Sequence, residues 1–316
     1  MLELSGVSRS FGDRRALDDV GFTVRRGRLT GFVGGNGAGK TTAMRIVLGV
    51  LSADAGTVTL DGRELDGATR RTFGYMPEER GLYPRMKVAE QLAYLARLRG
   101  FDRAGADRRA RELLDRLDVT ERADDRLDSL SLGNQQRVQV AASVVHDPDV
   151  LILDEPFSGL DPMAVDVVQS VLVEHAAGGA PVLFSSHQLD VVERLCDDVV
   201  IIAGGRIVAA GDREELRARH TEPRHRLRAG TDLGWVRDVP GVHVVELAGA
   251  EVLFEADEAT AQHVLSQALE RGTVREFAPV RPRLAEIFRE VIRDEAQAQA
   301  QAAAATGRRG KRGVAA

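Results

Sequence analysis

Two short stretches of the chain carry groups suited to handling a triphosphate. The run Gly34-Gly35-Asn36-Gly37-Ala38-Gly39-Lys40-Thr41 fits the pattern G-x-x-x-x-G-K-[ST], and Thr42 follows it. Glycines there let backbone N–H groups turn inward around a β-phosphate. The Lys40 ammonium neutralises the β- and γ-phosphates, and the Thr41 hydroxyl is offered to Mg²⁺. The second stretch is Val150-Leu151-Ile152-Leu153-Asp154-Glu155. Its apolar half reads as a strand that delivers two carboxylates at its end, where open α/β sheets place their ligands. Asp154 would hold the magnesium shell, and Glu155 would orient or deprotonate an attacking water. Taken singly, each stretch has a bland rival: a chance glycine-rich turn, or an acidic helix N-cap. Taken together, they describe one site.

A sheet must bring these groups together. Leu29–Val33, Val150–Leu153, Val182–Ser185 and Val199–Ala203 read as strands, nearly all apolar, as parallel strands buried on both faces are. Lys40–Val50, Val88–Arg99, Arg108–Asp118, Asn134–His146 and Met163–Ala177 read as helices. Strands alternating with helices predict a parallel α/β sheet with crossover connections, in a first domain over residues 1–219. His220–Arg226 is polar and basic, contains Pro223, and reads as a linker.

Residues 220–294 carry a smaller α+β pattern. It runs from a strand, Arg224–Arg228, through a short helix, Thr231–Val236, to alternating strands Val242–Leu247 and Glu251–Ala256 around Ala248-Gly249. Asp257 reads as the cap of a helix with Val264, Leu265, Ala268 and Leu269 on one face, and Gly272 as its stop. Val274–Pro279 reads as a last strand. The order β-α-β-β-α-β is that of a ferredoxin-like split βαβ unit. A final helix is expected over Arg283–Asp294. Residues 295–316 are of low complexity, basic at their end, and expected to be a disordered tail.

Composition removes several function classes. The chain has 43 basic and 48 acidic residues, a net charge of −5. Residues 296–316 carry +4 and no acid, so the rest of the chain is at −9, acidic and unsuited to a broad nucleic-acid surface. Cys196 is the only cysteine, which excludes a disulfide scaffold. It reads as a small buried residue, and Trp235 as core of the second domain. No run approaches the ~20 apolar residues of a membrane helix. Met1–Ser10 lacks a secretory leader pattern, so the cytoplasm is the expected location.

Three further motifs narrow the class. Leu130-Ser131-Leu132-Gly133-Asn134-Gln135-Gln136 precedes the acidic strand. Phe157-Ser158-Gly159-Leu160-Asp161-Pro162 follows it, and Phe184-Ser185-Ser186-His187 ends a later buried strand. With the phosphate loop, and in this order, they resemble the ATP-binding subunit of ABC (ATP-binding cassette) transporters over roughly residues 2–219. The resemblance implies the P-loop NTPase ABC-cassette fold, a mostly parallel sheet with a helical subdomain, and ATP and Mg²⁺ as cofactors.

Carried over residue by residue, the resemblance gives Ser131 and the N–H of Gly133 the role of clasping a γ-phosphate held by a partner subunit, beside Asn134 and Gln135. Asn134 stands where the family usually has a glutamine. Asp161 matches the aspartate that links the two sites of a dimer, and His187 the histidine that contacts the γ-phosphate. Phe11 matches the aromatic, usually tyrosine, that stacks on adenine; a core phenylalanine is the rival reading. One departure is chemical. After Tyr75-Met76-Pro77 the family normally places a glutamine, and this chain has Glu78. A carboxylate remains a hard oxygen ligand for Mg²⁺ but adds negative charge beside a triphosphate, with Arg80 near enough in sequence to offset it. The stretch Pro77–Pro84 and the Leu-Ser-x-Gly-Asn form resemble one sub-group, the ATPase subunits of sodium-extrusion and drug-resistance exporters, which carry a small C-terminal domain.

The implied function is an ATP-binding and hydrolysing exporter subunit, paired head to tail as a homodimer or with a second ABC subunit. It would drive a separately encoded membrane permease from the inner face of the cell membrane, docking through Tyr83–Leu130, with no nucleic acid involved. The alternative is a non-transport ABC ATPase acting on nucleic acid or ribosomes. Its DNA-repair form needs zinc-binding cysteines, its chromosome form long coiled coils, and its translation form two cassettes. A phosphate-loop kinase would have no use for Leu130–Gln136.

Overall fold

The structure is a computed structural model and describes residues 1–79, 81–219, 223–280 and 286. They fall into two compact units that divide between Arg213 and Glu214. This lies ahead of the division expected at residue 219. In the first unit, β1 (Leu2–Phe11) and β2 (Arg14–Val24) form an antiparallel hairpin. β3 (Leu29–Val33) leads into α1 (Lys40–Val47). β4 (Ala55–Leu60) and β5 (Arg63–Glu64) return to the hairpin and complete an antiparallel sheet ordered β2-β1-β4-β5. After α2 (Gly67–Arg70) and β6 (Phe73–Met76) comes a helical segment: α3 (Val88–Leu98), α4 (Arg103–Arg116) and α5 (Leu132–Val144). β7 (Val150–Leu153), α6 (Pro162–Ala177), β8 (Val182–Ser186), α7 (Leu189–Leu195), β9 (Asp198–Ala203) and β10 (Arg206–Asp212) follow.

The larger sheet runs β10-β9-β3-β8-β7-β6, parallel throughout except for β10. β3, β7 and β8 are buried along their whole length, as their unbroken apolar runs require. Register sets Val33 beside Ser186, Phe184 beside Leu153 and Leu153 beside Met76. The carboxyl ends of β3, β8, β7 and β6 therefore lie side by side. The core between the two sheets holds Leu4, Leu17, Phe22, Phe32, Met44 and Ile152, with the Phe22 and Phe32 rings 5.1 Å apart. Cys196 is buried beneath β3, where a Cβ on Gly31 would meet its sulfur at 2.6 Å; burial pushes its thiol up.

Helix limits differ from those the sequence predicts, for local reasons. α1 ends at Val47 rather than Val50, because Gly49 adopts φ +73° and turns the chain left-handed. α4 begins at Arg103 rather than Arg108, because Asp102 caps it by accepting from the Gly105 N–H at 2.7 Å. α5 begins at Leu132, capped by the Ser131 hydroxyl, and ends at Val144 rather than His146. The antiparallel sheet is absent from the sequence reading. β1 carries register shifts around Gly6, at φ +64°, which interrupt the two-residue alternation that marks a strand.

His146, just beyond α5, supplies a pH test. Burial, with Arg99 nearby, pushes its imidazole down to about 4, although Nε2 lies 3.2 Å from the Phe73 carbonyl oxygen. An unfolded histidine titrates near 6.5. Above that pH both states are neutral and the ring contributes no slope. As pH falls from about 6.5 towards 4, the unfolded chain takes up a proton that the folded chain refuses, so stability falls. With solvent screening of the partly exposed ring, the expected loss is about 1–2 kcal/mol. Urea unfolding at pH 7 and pH 4.5 measures it. His146→Gln should flatten that part of the slope, and an unaltered slope would contradict the assignment.

The second unit contains α8 (Arg213–Arg219) from Glu214 onward. It continues with β11 (Arg224–Ala229), β12 (His243–Ala248), β13 (Glu251–Glu255), α9 (Glu258–Arg271) and β14 (Val274–Val280). Its sheet order, β12-β13-β11-β14, with every pair antiparallel, is that of the split βαβ unit. The helix expected over Thr231–Val236 is instead a 3₁₀ turn, Gly234–Asp238. The Asp232 carboxylate accepts from the Gly234 N–H at 2.8 Å and favours a turn over helix. On α9 the buried stripe is Ala261, Val264 and Ala268; Leu265 flanks it, and Leu269 faces solvent. Trp235 packs partly buried against this core, with the Arg271 guanidinium 3.9 Å above its ring. The helix expected over 283–294 (Glu286 apart) and the expected tail lie outside the described residues.

Candidate active site

The loop between β3 and α1 is shaped by its glycines. A Cβ on Gly34 would come within 2.5 Å of the Ile202 carbonyl oxygen. Gly39 caps α1 at φ +115°, and a Cβ there would meet the Ala16 carbonyl oxygen at 2.8 Å. With no acidic residue in the first turn, the N–H groups of α1 present uncompensated positive partial charge. Lys40 is buried, and its ammonium donates to the carbonyls of Gly34 at 2.6 Å and Gly35 at 3.3 Å.

The carboxylates leave the end of β7, next to that loop. Thr41 donates its hydroxyl to Asp154 at 2.9 Å. The Ser185 hydroxyl, from the end of β8, donates to the other Asp154 oxygen and accepts the Glu155 N–H at 2.9 Å. Glu155 adopts φ +53°, a left-handed conformation that costs a non-glycine residue roughly 1–3 kcal/mol and persists only when its surroundings hold it. Its carboxylate lies 2.9 Å from His187 Nδ1. This joins a half-exposed histidine to a nearly buried acid at the strand end.

One cavity of about 490 Å³ is bordered by Phe11, Arg14, Asn36, Lys40, Glu78 and Glu155, whereas Ser185 and His187 lie outside its lining. Gly37, Ala38, Gly39, Thr41, Thr42 and Asp154 also face it; Gly34 lies behind, against Ile202. Phe11 is 46% exposed at the end of β1, which sets aside the core reading for it. Arg9 stacks 5.1 Å over its ring. Glu78 reaches the cavity from the end of β6, whereas Arg80, its expected counter-charge, lies outside the described residues.

Ser131, Gly133, Asn134, Gln135 and Asp161 border none of this cavity. Ser131 caps α5, and Asp161 caps α6 by accepting from the Ala164 N–H at 2.8 Å. Gly133 faces the loop before α6, where a Cβ would sit 3.7 Å from the Gly159 carbonyl oxygen. The motifs thus form two groups on one chain: a phosphate cavity, and a pair of neighbouring helix N-termini outside it.

The donor set suits Mg²⁺. Thr41, Asp154 and Glu78 line the same cavity with hard oxygens, and Mg²⁺ normally binds one or two carboxylates and completes its shell with phosphate and water. Among the described residues no group of three or more His, Cys, Asp or Glu forms an all-protein cage.

Sequence reasoning gave no role to Ser185, Gln136 or Arg14. Ser185 is legible only through strand register, which sets β8 between β3 and β7. Gln136 donates to the Glu155 carbonyl from a helix distant in sequence. Arg14 borders the cavity, donating to the Gly37 carbonyl at 3.2 Å, and its sole signal was a basic residue close after Phe11.

Comparison with known proteins agrees with this geometry. The family model described as ABC transporter matches residues 17–158, and that of the C-terminal domain of DrrA1-3-like ATP-binding proteins matches residues 211–292. The chain is 36% identical over 293 residues to the uncharacterized ABC transporter ATP-binding protein YhaQ of Bacillus subtilis, covering 92% of this chain and 98% of that one. It is 37% identical over 219 residues to the Nod factor export ATP-binding protein I of Ralstonia nicotianae, covering 68% of each. The solved structure of an ATP-binding subunit of an ABC transporter superposes with a TM-score of 0.64 at 34% identity, over 69% of this chain and 92% of that one. The chain belongs to the ABC transporter ATP-binding proteins, ATPases whose hydrolysis is coupled to transport.

Proposed function

We propose that this chain powers an exporter: two ATP-binding subunits close around ATP and drive a separately encoded permease at the inner face of the membrane. The observation that carries the two-subunit reading is the separation just described. The cavity has a phosphate loop, metal ligands and a positioned acid, while Ser131 and Gly133 stand at a helix N-terminus outside it. A second copy, or a second ABC subunit, would bring its own Ser131, Gly133, Asn134 and Gln135 to the γ-phosphate, with Asp161 beside the junction.

In this reading Phe11 stacks on adenine, and the backbone of Gly34–Thr42 and Lys40 bind the phosphates. Mg²⁺ held by Thr41, Asp154 and Glu78 would offset phosphate charge. Glu155 accepts the proton of the attacking water, and His187 orients that carboxylate and faces the γ-phosphate. Export is supported by the relative that serves Nod factor export and by the match of residues 211–292 to a DrrA-like C-terminal domain. Among the described residues no helix is long and apolar enough to cross a membrane. The permease's docking site would lie on the helical segment, where Tyr83 and Leu98 are 58% and 63% exposed.

Ser131→Arg tests the pairing. Each chain keeps its own cavity, so affinity for a fluorescent ATP analogue should stay within about twofold, while turnover falls roughly 100-fold from the blocked junction. Unchanged turnover would remove Ser131 from the site.

A further inference from the structure

Helix α5 carries two buried amides that the active-site roles above leave unused. Gln136 is 8% exposed and Gln139 is 4% exposed. Three residues apart, they share one face of the helix. The Gln136 amide nitrogen donates to the Glu155 carbonyl at 3.0 Å and to the Pro156 carbonyl at 3.1 Å. The Gln139 amide nitrogen donates to the Pro77 carbonyl at 3.3 Å and to the Glu79 carbonyl at 3.4 Å. One helix face thus grips both loops whose carboxylates, Glu155 and Glu78, line the nucleotide cavity. The N-cap of that helix is Ser131.

The grip on Glu155 is two-sided. Its N–H is held by the Ser185 hydroxyl, and its carbonyl by Gln136. The peptide units on either side of the left-handed α-carbon are both pinned. Such a conformation relaxes when its restraints are removed, and the carboxylate then swings with the backbone.

We propose that Gln136 and Gln139 are positioning residues that lock the helix headed by Ser131 to the two cavity carboxylates, Gln136 acting through Glu155 and Gln139 through Glu78. This rests on the reading of Glu155 as the group that activates water. An α-helix is stiff over the ~7 Å between Ser131 and Gln136. A displacement of its N-terminus, when a second copy's nucleotide engages Ser131, therefore reaches the Glu155 carbonyl. A shift of about 1 Å in a reacting group is enough to change a rate ~100-fold. Engagement of one site thereby sets the aim of the acid in the other.

Full-length Gln136→Met, Gln139→Met, Glu155→Gln and the double variant Gln136→Met/Glu155→Gln test this. Gln136→Met should lower kcat roughly 10- to 100-fold at saturating ATP and Mg²⁺, with KM and the affinity for a fluorescent ATP analogue within about twofold. The double variant should be no slower than Glu155→Gln alone, because Gln136 acts only through Glu155. Gln139→Met should lower kcat less, about 3- to 10-fold, and raise the Mg²⁺ dependence of analogue binding. Hydrogen exchange at residues 153–160 should quicken in Gln136→Met. If that variant does not melt cooperatively, Gln136→Leu takes its place in the same measurements. Full kcat in a folded Gln136 variant, with Glu155→Gln inactive, overturns the proposal alone. Full turnover in Glu155→Gln overturns the reading of Glu155 and the proposal with it. A Gln136 variant that loses only melting temperature, with kcat kept, also overturns it.

Discussion

Glu155→Gln is expected to lower steady-state ATP turnover by roughly 10²- to 10⁴-fold, the range for removal of a positioned general base. The substitution keeps the size and shape of the side chain. It leaves the φ +53° backbone and its Ser185 and Gln136 restraints in place. What changes is chemistry: an amide cannot accept the proton of water. ATP affinity should remain within about twofold, because Lys40, Thr41 and the loop amides are untouched. Binding that is retained without hydrolysis should let ATP-dependent dimers accumulate. Size-exclusion chromatography with ATP and Mg²⁺, beside a phosphate-release assay, measures both effects. Wild-type turnover would refute the role given to Glu155.

The second large effect is expected from Lys40→Ala, and it falls on binding. The Lys40 ammonium sits among the glycine carbonyls at the β3 end, with the α1 N-terminus beside it. Each charge-assisted hydrogen bond to a phosphate is worth about 1.5–3 kcal/mol, so loss of two lowers ATP affinity by about 10²- to 10³-fold or more. Fold stability should change far less, since the substitution removes a buried charge whose protein partners are two backbone carbonyls. Thermal melting separates the two outcomes. At ATP 100 times its dissociation constant the parent chain gains about 2.7 kcal/mol of stability, and the variant gains almost none. A full ATP-induced shift in the variant would contradict the placement of Lys40 against phosphate.

These expectations combine readings of two kinds. The phosphate loop and the acidic strand are local: six to nine neighbouring residues specify turn, strand and chemistry together, and the structure sets them at the ends of β3 and β7, on either side of β8, around one cavity. The ambiguity at Phe11 was of another kind. A phenylalanine near an N-terminus is core or ligand platform according to what covers it, and the exposed end of β1 sets the core reading aside. The second unit shows how side-chain competition shifts a boundary. Asp232 captures the Gly234 N–H and leaves a turn where a helix was expected, while the strand order follows the alternation around Ala248-Gly249.

Residue order alone was sufficient for the nucleotide chemistry and for the parallel sheet, because contiguous motifs and buried apolar strands encode both. It was insufficient for the antiparallel sheet, whose irregular β1 lacks a clean alternation. It could not reveal the Ser185 bridge, the His187–Glu155 contact or the Gln136 and Gln139 grips. Those contacts join segments 19 to 62 residues apart in several cases, and packing of α5 and β8 against neighbouring strands creates them. Hydrogen bonds over such separations depend on register and helix phase, which no local run of residues contains.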